Sequence, residues 1–338
     1  MENSKDEELY SLLSYVYKLI ENWENSMGFL ERIRSISIYG MGLMGTSLAY
    51  ALKTSQNFKG KIYGYVKSER SKIWIEENTL VDKAFLSEDK EGIEYLLNSD
   101  MILIGLPVLE AMEFIKNLSK WQYTGLISDM CSTRWELESL VRDLEKISKI
   151  RFIGSHPICG SEESGPQYYV PDLYKNKLCI IINKIQNHIE TDRHIEDLQL
   201  VTNFWKELGM EIVYMDAESH DFILSYLSHS PHIISSILAT IIGKKEIILK
   251  LNQKSSLPIL GGGLRDMIRI AGSNPKMWYD IIKTNKKNII ISLKDFKKEL
   301  ETVIHNIENN FEDWWFDWQS LAKDYKNIIY GNSKSEKD

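Results

Sequence analysis

The sequence predicts an α/β protein in which a doubly wound parallel sheet is followed by a mostly helical half. A short apolar run, Ile36–Tyr39, leads directly into a glycine-rich turn and then a helical pattern. Further short apolar runs alternate with helical patterns, and from Asp216 onward the apolar spacing is mostly that of helices. A length of 338 residues fits two domains with a sizeable core.

The composition is that of a soluble globular protein, with 43% hydrophobic and 26% charged residues. A net charge of −7 argues against nucleic-acid binding. The sequence shows no signal-peptide pattern and no apolar stretch with the length of a membrane span. Its three cysteines lack the paired spacing of zinc sites, so we expect reduced thiols, a cytoplasmic location and no bound metal.

The first predicted element is a helix over Glu7–Asn25, whose apolar residues recur at helical spacing. We expect it to pack on the body of the protein or on a second subunit, and we give it no chemical role. The first strand, Ile36–Tyr39, follows.

The turn after this strand reads Gly40-Met41-Gly42-Leu43-Met44-Gly45 and leads into a helix. In this context Gly40 permits the tight turn, Gly42 lets a pyrophosphate approach the backbone, and Gly45 allows close packing of helix on strand. The helix N-terminus offers N–H groups to the phosphates. The sequence therefore predicts a Rossmann-type NAD(P) site, with cofactor contacts from the residues of this turn and of a later strand end: Gly40, Gly42, Leu43, Met44, Gly45, Leu106 and Pro107.

The second strand, Lys61–Val66, ends without the acidic residue that usually holds the ribose 2′-hydroxyl of NAD. Lys67, Ser68 and Arg70 follow instead. Two cations and a hydroxyl suit a 2′-phosphate, so we expect NADP as the favoured cofactor. The alternative is that both cations are solvated loop charges.

Further predicted strands are Asp100–Leu106, Leu126–Met130, Arg151–Ser155 and Leu178–Ile182. In open α/β sheets, ligands bind beyond the carboxyl ends of the strands. Ser132 and His156 each come just after such an end. We therefore expect both side chains at the ligand site.

His156 lies in the stretch Gly154–Gly165, which also contains Pro157 and Gly160. Close glycine backbone and a proline that directs the chain make this imidazole a candidate acid–base group. The alternative is that His156 only caps a turn. The shared position of His156 and Ser132 favours the functional interpretation.

The helical half begins after a last strand, Glu211–Met215. A helix opening at His220-Asp221 also carries His229 and His232, but no cysteine or carboxylate stands at zinc-like spacing. We expect His232 to face the substrate and no metal to bind. The alternative is a structural role, with His229 packed between helices.

A triple glycine at 261–263 leads into a helix that carries Arg265 and Arg269 four residues apart on one face. This pair suits a substrate with two carboxylates. The alternative is a surface network of these arginines with Asp266. The chain thus divides into an N-terminal helical extension (1–31), an NAD(P)-binding domain (32–184), a mainly helical domain (185–330) and a flexible tail (331–338).

Taken together, these motifs resemble the prephenate and arogenate dehydrogenase family over roughly Ser35 to Leu300. The carriers are the glycine turn and the following segments, which keep their order and spacing: 129–133, 154–162, His220-Asp221, 228–232 and 261–269. The resemblance implies an all-helical domain that forms a homodimer.

The activity implied by the resemblance is an oxidative decarboxylation in tyrosine biosynthesis. Prephenate would lose a hydride from C4 to NAD(P) and CO2 from C1, which gives 4-hydroxyphenylpyruvate. By similarity, His156 takes the proton of the C4 hydroxyl and Ser132 orients it. The implied substrate-binding residues are His232, Arg269, Arg265 and Gly160. Arg265 stands where the family commonly has lysine, so its geometry differs.

Two other functions remain open at this point. The first is an arogenate dehydrogenase, or a relative in secondary metabolism that acts on an amino-substituted prephenate. The second is a non-catalytic NADP-binding sensor, which would be expected to lack the set His156, Ser132 and Arg269 that this sequence retains.

Overall fold

A computed structural model describes residues 29–160, 163–183, 192–254 and 258–330. The predicted helix Glu7–Asn25 and the predicted tail 331–338 lie outside these ranges. The chain divides into two compact units, Met1–Lys286 and Lys287–Asp338.

The centre of the first unit is a six-stranded parallel sheet of order β3-β2-β1-β4-β5-β6. The strands carry short apolar runs that are buried on both faces, as a parallel sheet covered by helices requires. Their bounds are β1 Ser35–Tyr39, β2 Lys61–Val66, β3 Lys83–Leu86, β4 Met101–Ile104, β5 Leu126–Asp129 and β6 Arg151–Ile153.

Among the described residues, six helices precede or connect these strands. They are α1 Phe29–Arg32, α2 Leu43–Thr54, α3 Glu69–Glu77, α4 Lys90–Leu97, α5 Val108–Lys120 and, after β5, a sixth, α6 Trp135–Glu145. Apolar residues of the sheet, these helices and a later helix form two buried clusters, one containing Ile36, Leu48 and Trp205 and the other Ile104, Phe114 and Leu137. The predicted doubly wound sheet is confirmed.

The strand order reverses between β1 and β4, because the chain builds β2 and β3 on one side and β5 and β6 on the other. Such a reversal leaves a crevice at the carboxyl ends of the two central strands, where open α/β sheets bind their ligands. The glycine turn after β1 and the segment Gly105–Pro107 after β4 both lie there.

A second, three-stranded sheet has the order β7-β8-β9, with β7 Ser155–Pro157, β8 Leu178–Ile182 and β9 Glu211–Met215. β7 pairs antiparallel with β8, which pairs parallel with β9. A 3₁₀ turn, Pro166–Tyr168, precedes β8, and α7 Asp192–Glu207 lies between β8 and β9. Residues on both sides of the predicted boundary at 184 therefore share this sheet.

The rest of the first unit is helical, as predicted. α8 Ala217–Leu224 begins at the N-cap Asp216, whose side chain accepts from Ser219 N at 2.8 Å. A π-helical turn, Ser225–His229, joins it to α9 Ser230–Gly243. The remaining elements are α10 Glu246–Lys254, α11 Gly262–Ile268, a 3₁₀ turn Arg269–Gly272 and α12 Pro275–Thr284.

The second unit contains most of α13 Lys286–Asn309 and all of α14 Phe311–Ile329. The rings of Trp314, Trp315 and Trp318 on α14 contact one another, with centroids 5.1 to 6.1 Å apart. Trp318 Nε1 donates to Glu299 Oε1 of α13 at 3.4 Å, which links the two helices. Within the described part of the chain, no helix combines the length and the apolar character needed to cross a membrane.

Three sequence expectations differ from the structure in detail. The strand β3 was not predicted, because Lys83–Leu86 is only four residues long and starts with a charge. The helix expected to open at His220 begins at Ala217, where Asp216 caps it. His156 does follow the end of β6, but it lies within β7 rather than in a loop.

Candidate active site

The glycine turn has the geometry that a bound dinucleotide requires. Gly40 has a φ of +107°, and a Cβ there would lie 2.6 Å from the carbonyl oxygen of Gly105. At Gly45 a Cβ would lie 2.4 Å from the carbonyl oxygen of Gly40, so helix α2 can approach the turn only with glycine. A Cβ at Gly42 would meet nothing within 4 Å, which leaves its backbone open to a ligand.

The start of α2 is likewise suited to a pyrophosphate. Its N-cap is Gly42, which has no side chain to satisfy the first N–H groups of the helix. The Leu43 side chain is buried, so this residue faces the crevice only with its backbone. The carbonyl of Met44 accepts from Tyr174 at 2.8 Å. These residues fit the phosphates of NAD(P).

Leu106 and Pro107 lie at the same crevice. The Leu106 side chain comes within 3.0 Å of the position a Cβ would take at Gly40. Pro107 is the N-cap of α5, and the thiol of Cys131 donates to the carbonyl of Leu106. Both predicted contacts thus stand opposite the glycine turn.

The segment after β2 carries the three polar residues predicted to hold a 2′-phosphate. Lys67 forms an ion pair with Glu110, whose other oxygen pairs with Lys276. Ser68 is the N-cap of α3 and accepts from Ser71 N at 3.2 Å. Arg70 is exposed and forms no ion pair with the described residues. The cations are therefore at the surface, and Lys67 is already paired with a carboxylate.

His156 is held in place through the residue before it. The Ser155 amide donates to Asp129 Oδ1 at 3.2 Å, its hydroxyl bonds to the carbonyl of Asp129, and Trp205 Nε1 donates to its Oγ at 3.0 Å. On β8, Ile180 stands opposite His156. These contacts join β7 to the end of β5 and leave the His156 ring partly exposed.

A fully buried ion pair supports the same junction. Arg134 forms a bidentate pair with Asp129 and donates to the carbonyl of Ser155 at 3.2 Å. Both side chains are 0% exposed. Two parallel hydrogen bonds with fork geometry compensate part of the cost of burying these charges.

The ring of His156 contacts a second histidine. Its Nδ1 lies 2.9 Å from Nε2 of His220, and Nδ1 of His220 lies 2.9 Å from Oδ1 of Asp221. Burial lowers the pKa of His156 well below 6.5, and the neighbouring His220, the Arg134 guanidinium and His229 lower it further. His156 is therefore neutral near pH 7, as a general base must be.

Ser132 is partly exposed and lies between the buried residues Cys131 and Thr133. Among the described residues it makes no hydrogen bond to His156, whose ring nitrogen bonds to His220 instead. Its orienting role stays a prediction. Gly160 lies near the glycine turn, since a Cβ there would be 3.6 Å from the Met44 sulfur.

His232 and the arginine-bearing segment meet at a cavity of about 640 Å³. His232 bonds through Nδ1 to the carbonyl of Ser228 at 2.9 Å, and Trp278 lies against its ring with centroids 4.3 Å apart. Burial lowers the pKa of His232, and the charge of Arg269 lowers it further. Arg269 and Arg265 are both exposed, and Arg269 is the residue after α11.

His229 connects this cavity to the His156 network. Its Nδ1 lies 3.1 Å from Nδ2 of Asn285, which also donates to the carbonyl of Asp221 at 2.6 Å. Burial lowers the pKa of His229 to about 4. The predicted packing role of His229 agrees with these contacts. Within the described ranges, no three His, Cys, Asp or Glu side chains are grouped so that they could hold a metal ion.

Sequence reasoning did not assign a role to His220, Asp221, Asp129 or Arg134. His220 and Asp221 were part of a family motif without an assigned role. Asp129 and Arg134 lie close to Ser132, which was the residue predicted to be functional in that segment. A histidine followed by aspartate at a helix start was the available signal. Which residue it contacts, 64 positions away, could not be read from the sequence.

The fold and this arrangement define a nucleotide-dependent oxidoreductase. A glycine turn at a topological switch point holds a dinucleotide. A neutral histidine near that crevice suits proton transfer at an oxidised hydroxyl. A nearby cavity is lined by His232 and by Ile270, which directly follows the exposed Arg269, and an arginine next to it suits an acidic substrate.

Comparison with known proteins identifies the particular family. The nucleotide-binding domain of prephenate dehydrogenase matches residues 48–214, and its dimerization domain matches residues 216–321. The prephenate dehydrogenase of Bacillus subtilis is 28% identical over 296 residues, which is 86% of this chain and 75% of the relative. That of Lactococcus lactis is 26% identical over 276 residues, which is 80% and 70% respectively.

A solved structure supports the same family. The prephenate dehydrogenase from A. aeolicus, in complex with hydroxyphenyl propionate and NAD+, has a TM-score of 0.73 and 30% sequence identity. The match covers 88% of this chain and 98% of that one. This chain belongs to the prephenate dehydrogenase family and is an NAD(P)-dependent oxidoreductase.

Proposed function

We propose that this enzyme converts prephenate to 4-hydroxyphenylpyruvate and CO2, with hydride transfer to NAD(P), as a step of tyrosine biosynthesis. The observation that carries the proposal is the placement of His156. Its partly exposed ring follows the carboxyl end of β6, while Gly160, four residues on, lies near Met44 of the glycine turn. A neutral imidazole there can accept the proton of a hydroxyl that is being oxidised.

In this mechanism His156 breaks the O–H bond of the substrate at C4 and forms an N–H bond. A dinucleotide held by the glycine turn and the segment 106–107 would supply the acceptor for the hydride of C4, and loss of that hydride turns the C4 oxygen into a carbonyl. Loss of CO2 from C1 then returns an electron pair to the ring, which becomes aromatic. His156 gives its proton back to the same oxygen, now that of a phenol, and no net proton is consumed.

Substrate binding is assigned to the cavity side of the site. We infer that Arg269 pairs with one substrate carboxylate and that His232 donates or accepts at the polar end of the substrate. The exposed Arg265 and the backbone at Gly160 complete the set. Ser132 follows β5 and is partly exposed. In this proposal it lies near the C4 hydroxyl of the bound substrate and orients His156.

We infer that NADP is the preferred cofactor. Val66 offers no carboxylate to a ribose 2′-hydroxyl, and the exposed Arg70 is free of ion pairs within the described residues. A 2′-phosphate would also draw Lys67 away from Glu110. The R70A variant should raise KM for NADP about tenfold and leave KM for NAD unchanged, since a hydrogen bond to a charged group contributes roughly 1.5 kcal/mol or more. Equal effects on both cofactors would contradict this inference.

We further infer that the active form is a homodimer in the cytoplasm and that the functional division falls near residue 184. The match of residues 216–321 to a dimerization domain supports the dimer. Light scattering on the purified full chain should give twice the mass of 39.3 kDa. A monomeric mass at the protein concentration of the activity assay would contradict the proposed homodimer.

The test of the proposed function is a turnover assay with prephenate and with arogenate, each against NADP and NAD. We expect the highest kcat/KM with prephenate and NADP, together with release of CO2 and 4-hydroxyphenylpyruvate. A higher kcat/KM with arogenate, or with an amino-substituted prephenate, would contradict the proposed substrate. Nucleotide binding without turnover of any of these substrates would identify a sensor instead.

A further inference from the structure

We propose that His220 and Asp221 are positioning residues that fix the protonation pattern of His156, so that its Nε2 carries the lone pair that accepts the substrate proton. The inference rests on the proposed role of His156 as the base. It adds two residues of the helical half to a proton-transfer step otherwise assigned to the residues near the sheet.

The fixed end of this chain of contacts is the carboxylate of Asp221. Its Oδ1 accepts from the amide of Arg134 at 2.8 Å, and its Oδ2 accepts from the amide of Trp135 at 2.9 Å. Burial raises the pKa of Asp221, but both amides stand at the N-terminus of α6, where unpaired N–H groups and the helix dipole favour its negative charge. Asp221 is fully buried, and Asn285 holds its backbone carbonyl. Asp221 is thus held as an acceptor in one orientation.

The protonation of both histidines follows from this acceptor. The 2.9 Å contact between Asp221 Oδ1 and His220 Nδ1 requires a proton on that nitrogen, because the carboxylate has none to donate. A neutral His220 then has its lone pair on Nε2. The 2.9 Å contact with His156 therefore requires a proton on Nδ1 of His156. The lone pair of a neutral His156 is left on Nε2, which makes no hydrogen bond to the described residues.

The surroundings of His220 keep it neutral. The groups that face it are the ion pair of Arg134 with Asp129, together with His156, His229, Asp216 and Asp221. Burial lowers the pKa of His220 well below 6.5, and the Arg134 guanidinium and the neighbouring His229 lower it further. The ring is 0% exposed, so no solvent competes for its two hydrogen bonds.

During the reaction the same contacts stabilise the charge that forms on His156. When Nε2 takes the substrate proton, the ring becomes an imidazolium whose Nδ1–H already donates to His220. His220 in turn donates to the carboxylate of Asp221. The negative charge of Asp221 thus acts on the imidazolium through one intervening ring, and no proton needs to leave His156 until it returns to the product oxygen.

The direct test is nitrogen NMR of the histidine side chains in the full-length protein labelled with ¹⁵N-histidine. The H156N variant assigns the His156 signals by their loss. We expect His156 to be protonated on Nδ1 in the wild type and to shift towards Nε2 in D221N, where the amide can donate to His220. Protonation on Nε2 in the wild type would overturn the inference, whatever the activity.

Kinetics provide the second test, with D197N as the matched control. Asp197 is a buried carboxylate that pairs with Arg151 on β6, so its replacement has a comparable structural cost. We expect H220F and D221N to lower kcat about 100-fold, with KM and the NADP dissociation constant within about threefold of wild type. H220Q, whose amide oxygen can replace Nε2 as an acceptor, should retain more activity than H220F.

The outcomes separate this inference from the proposed function. The NMR measurement needs no substrate, so it tests the protonation pattern of His156 even if prephenate is not turned over. If H156N stays active, the proposed function fails while the protonation pattern can still be correct. If H220F keeps a kcat within threefold of D197N, the positioning role is wrong while His156 can still be the base.

Discussion

At the scale of single residues, the site depends on keeping a histidine neutral and available. The pKa of His156 is lowered first by burial and then by the neighbouring His220, the Arg134 guanidinium and His229. A proton acceptor with a lowered pKa is a weaker base, but it is unprotonated over a wider range of pH. In the proposed mechanism, the hydrogen-bonded carboxylate of Asp221 compensates for this weakness when the imidazolium forms.

This environment predicts the pH dependence of the reaction. Protonation of His156 removes the base, and its folded-state pKa lies well below 6.5. The value of kcat/KM should therefore stay constant as the pH falls from neutral to 6.5 and decline only in more acidic solution. Initial rates across this range, corrected for substrate stability, provide the measurement. A midpoint at or above 6.5 would be inconsistent with the buried histidine pair.

Arg269 is predicted to bind a substrate carboxylate, and its removal should act on substrate affinity. We expect R269A to raise KM for prephenate roughly 10- to 100-fold, because hydrogen bonds to charged groups contribute about 1.5–3 kcal/mol. The control is R142A, an exposed arginine on α6, which should leave KM unchanged. Steady-state kinetics at saturating NADP compare them. Equal KM values in both variants would remove Arg269 from the site.

At the scale of secondary-structure elements, the junction between β5, β7 and α6 determines where His156 lies. Asp129 at the end of β5 accepts from the amides of Cys131 and Ser155 and pairs with Arg134. Asp221 then caps α6 from the helical half. Two buried carboxylates, Asp129 from the sheet and Asp221 from the helical half, therefore both contact the start of α6. These contacts connect the sheet to the helix that carries His220.

The Asp129–Arg134 pair should matter for stability far more than a surface pair. D129N leaves the buried guanidinium of Arg134 without its counter-charge, and we expect it to lower the free energy of unfolding by about 3–5 kcal/mol. R34A removes an exposed pair with Asp100 and should leave the unfolding midpoint nearly unchanged. Urea unfolding followed by circular dichroism compares them. A D129N midpoint equal to that of R34A would show that the pair is not structurally important.

At the scale of the whole molecule, the sheet was predictable and the site only in part. Strands β2, β8 and β9 match the predicted bounds, because each is a mostly apolar run bounded by polar residues or turns. The glycine turn and α2 were predictable because they are local in sequence.

What could not be predicted depends on contacts between distant segments. Ser155–Pro157 has no strand pattern, and it becomes β7 because Ser155 bonds to Asp129 and the segment pairs with β8. The histidine that contacts His156 comes from a helix 64 residues further on. The pairing of Lys67 with Glu110 likewise joins residues that are 43 positions apart. Local patterns carry no information on such pairs.

The central claim is that His156 is the general base, and the H156N variant tests it most directly. Asparagine can still donate to His220 from the position of Nδ1, but it has no group in the place of Nε2. H194N on α7 serves as the control. We predict that H156N lowers kcat by about 10²- to 10⁴-fold while the NADP dissociation constant stays within threefold. A kcat for H156N equal to that of H194N would contradict the account.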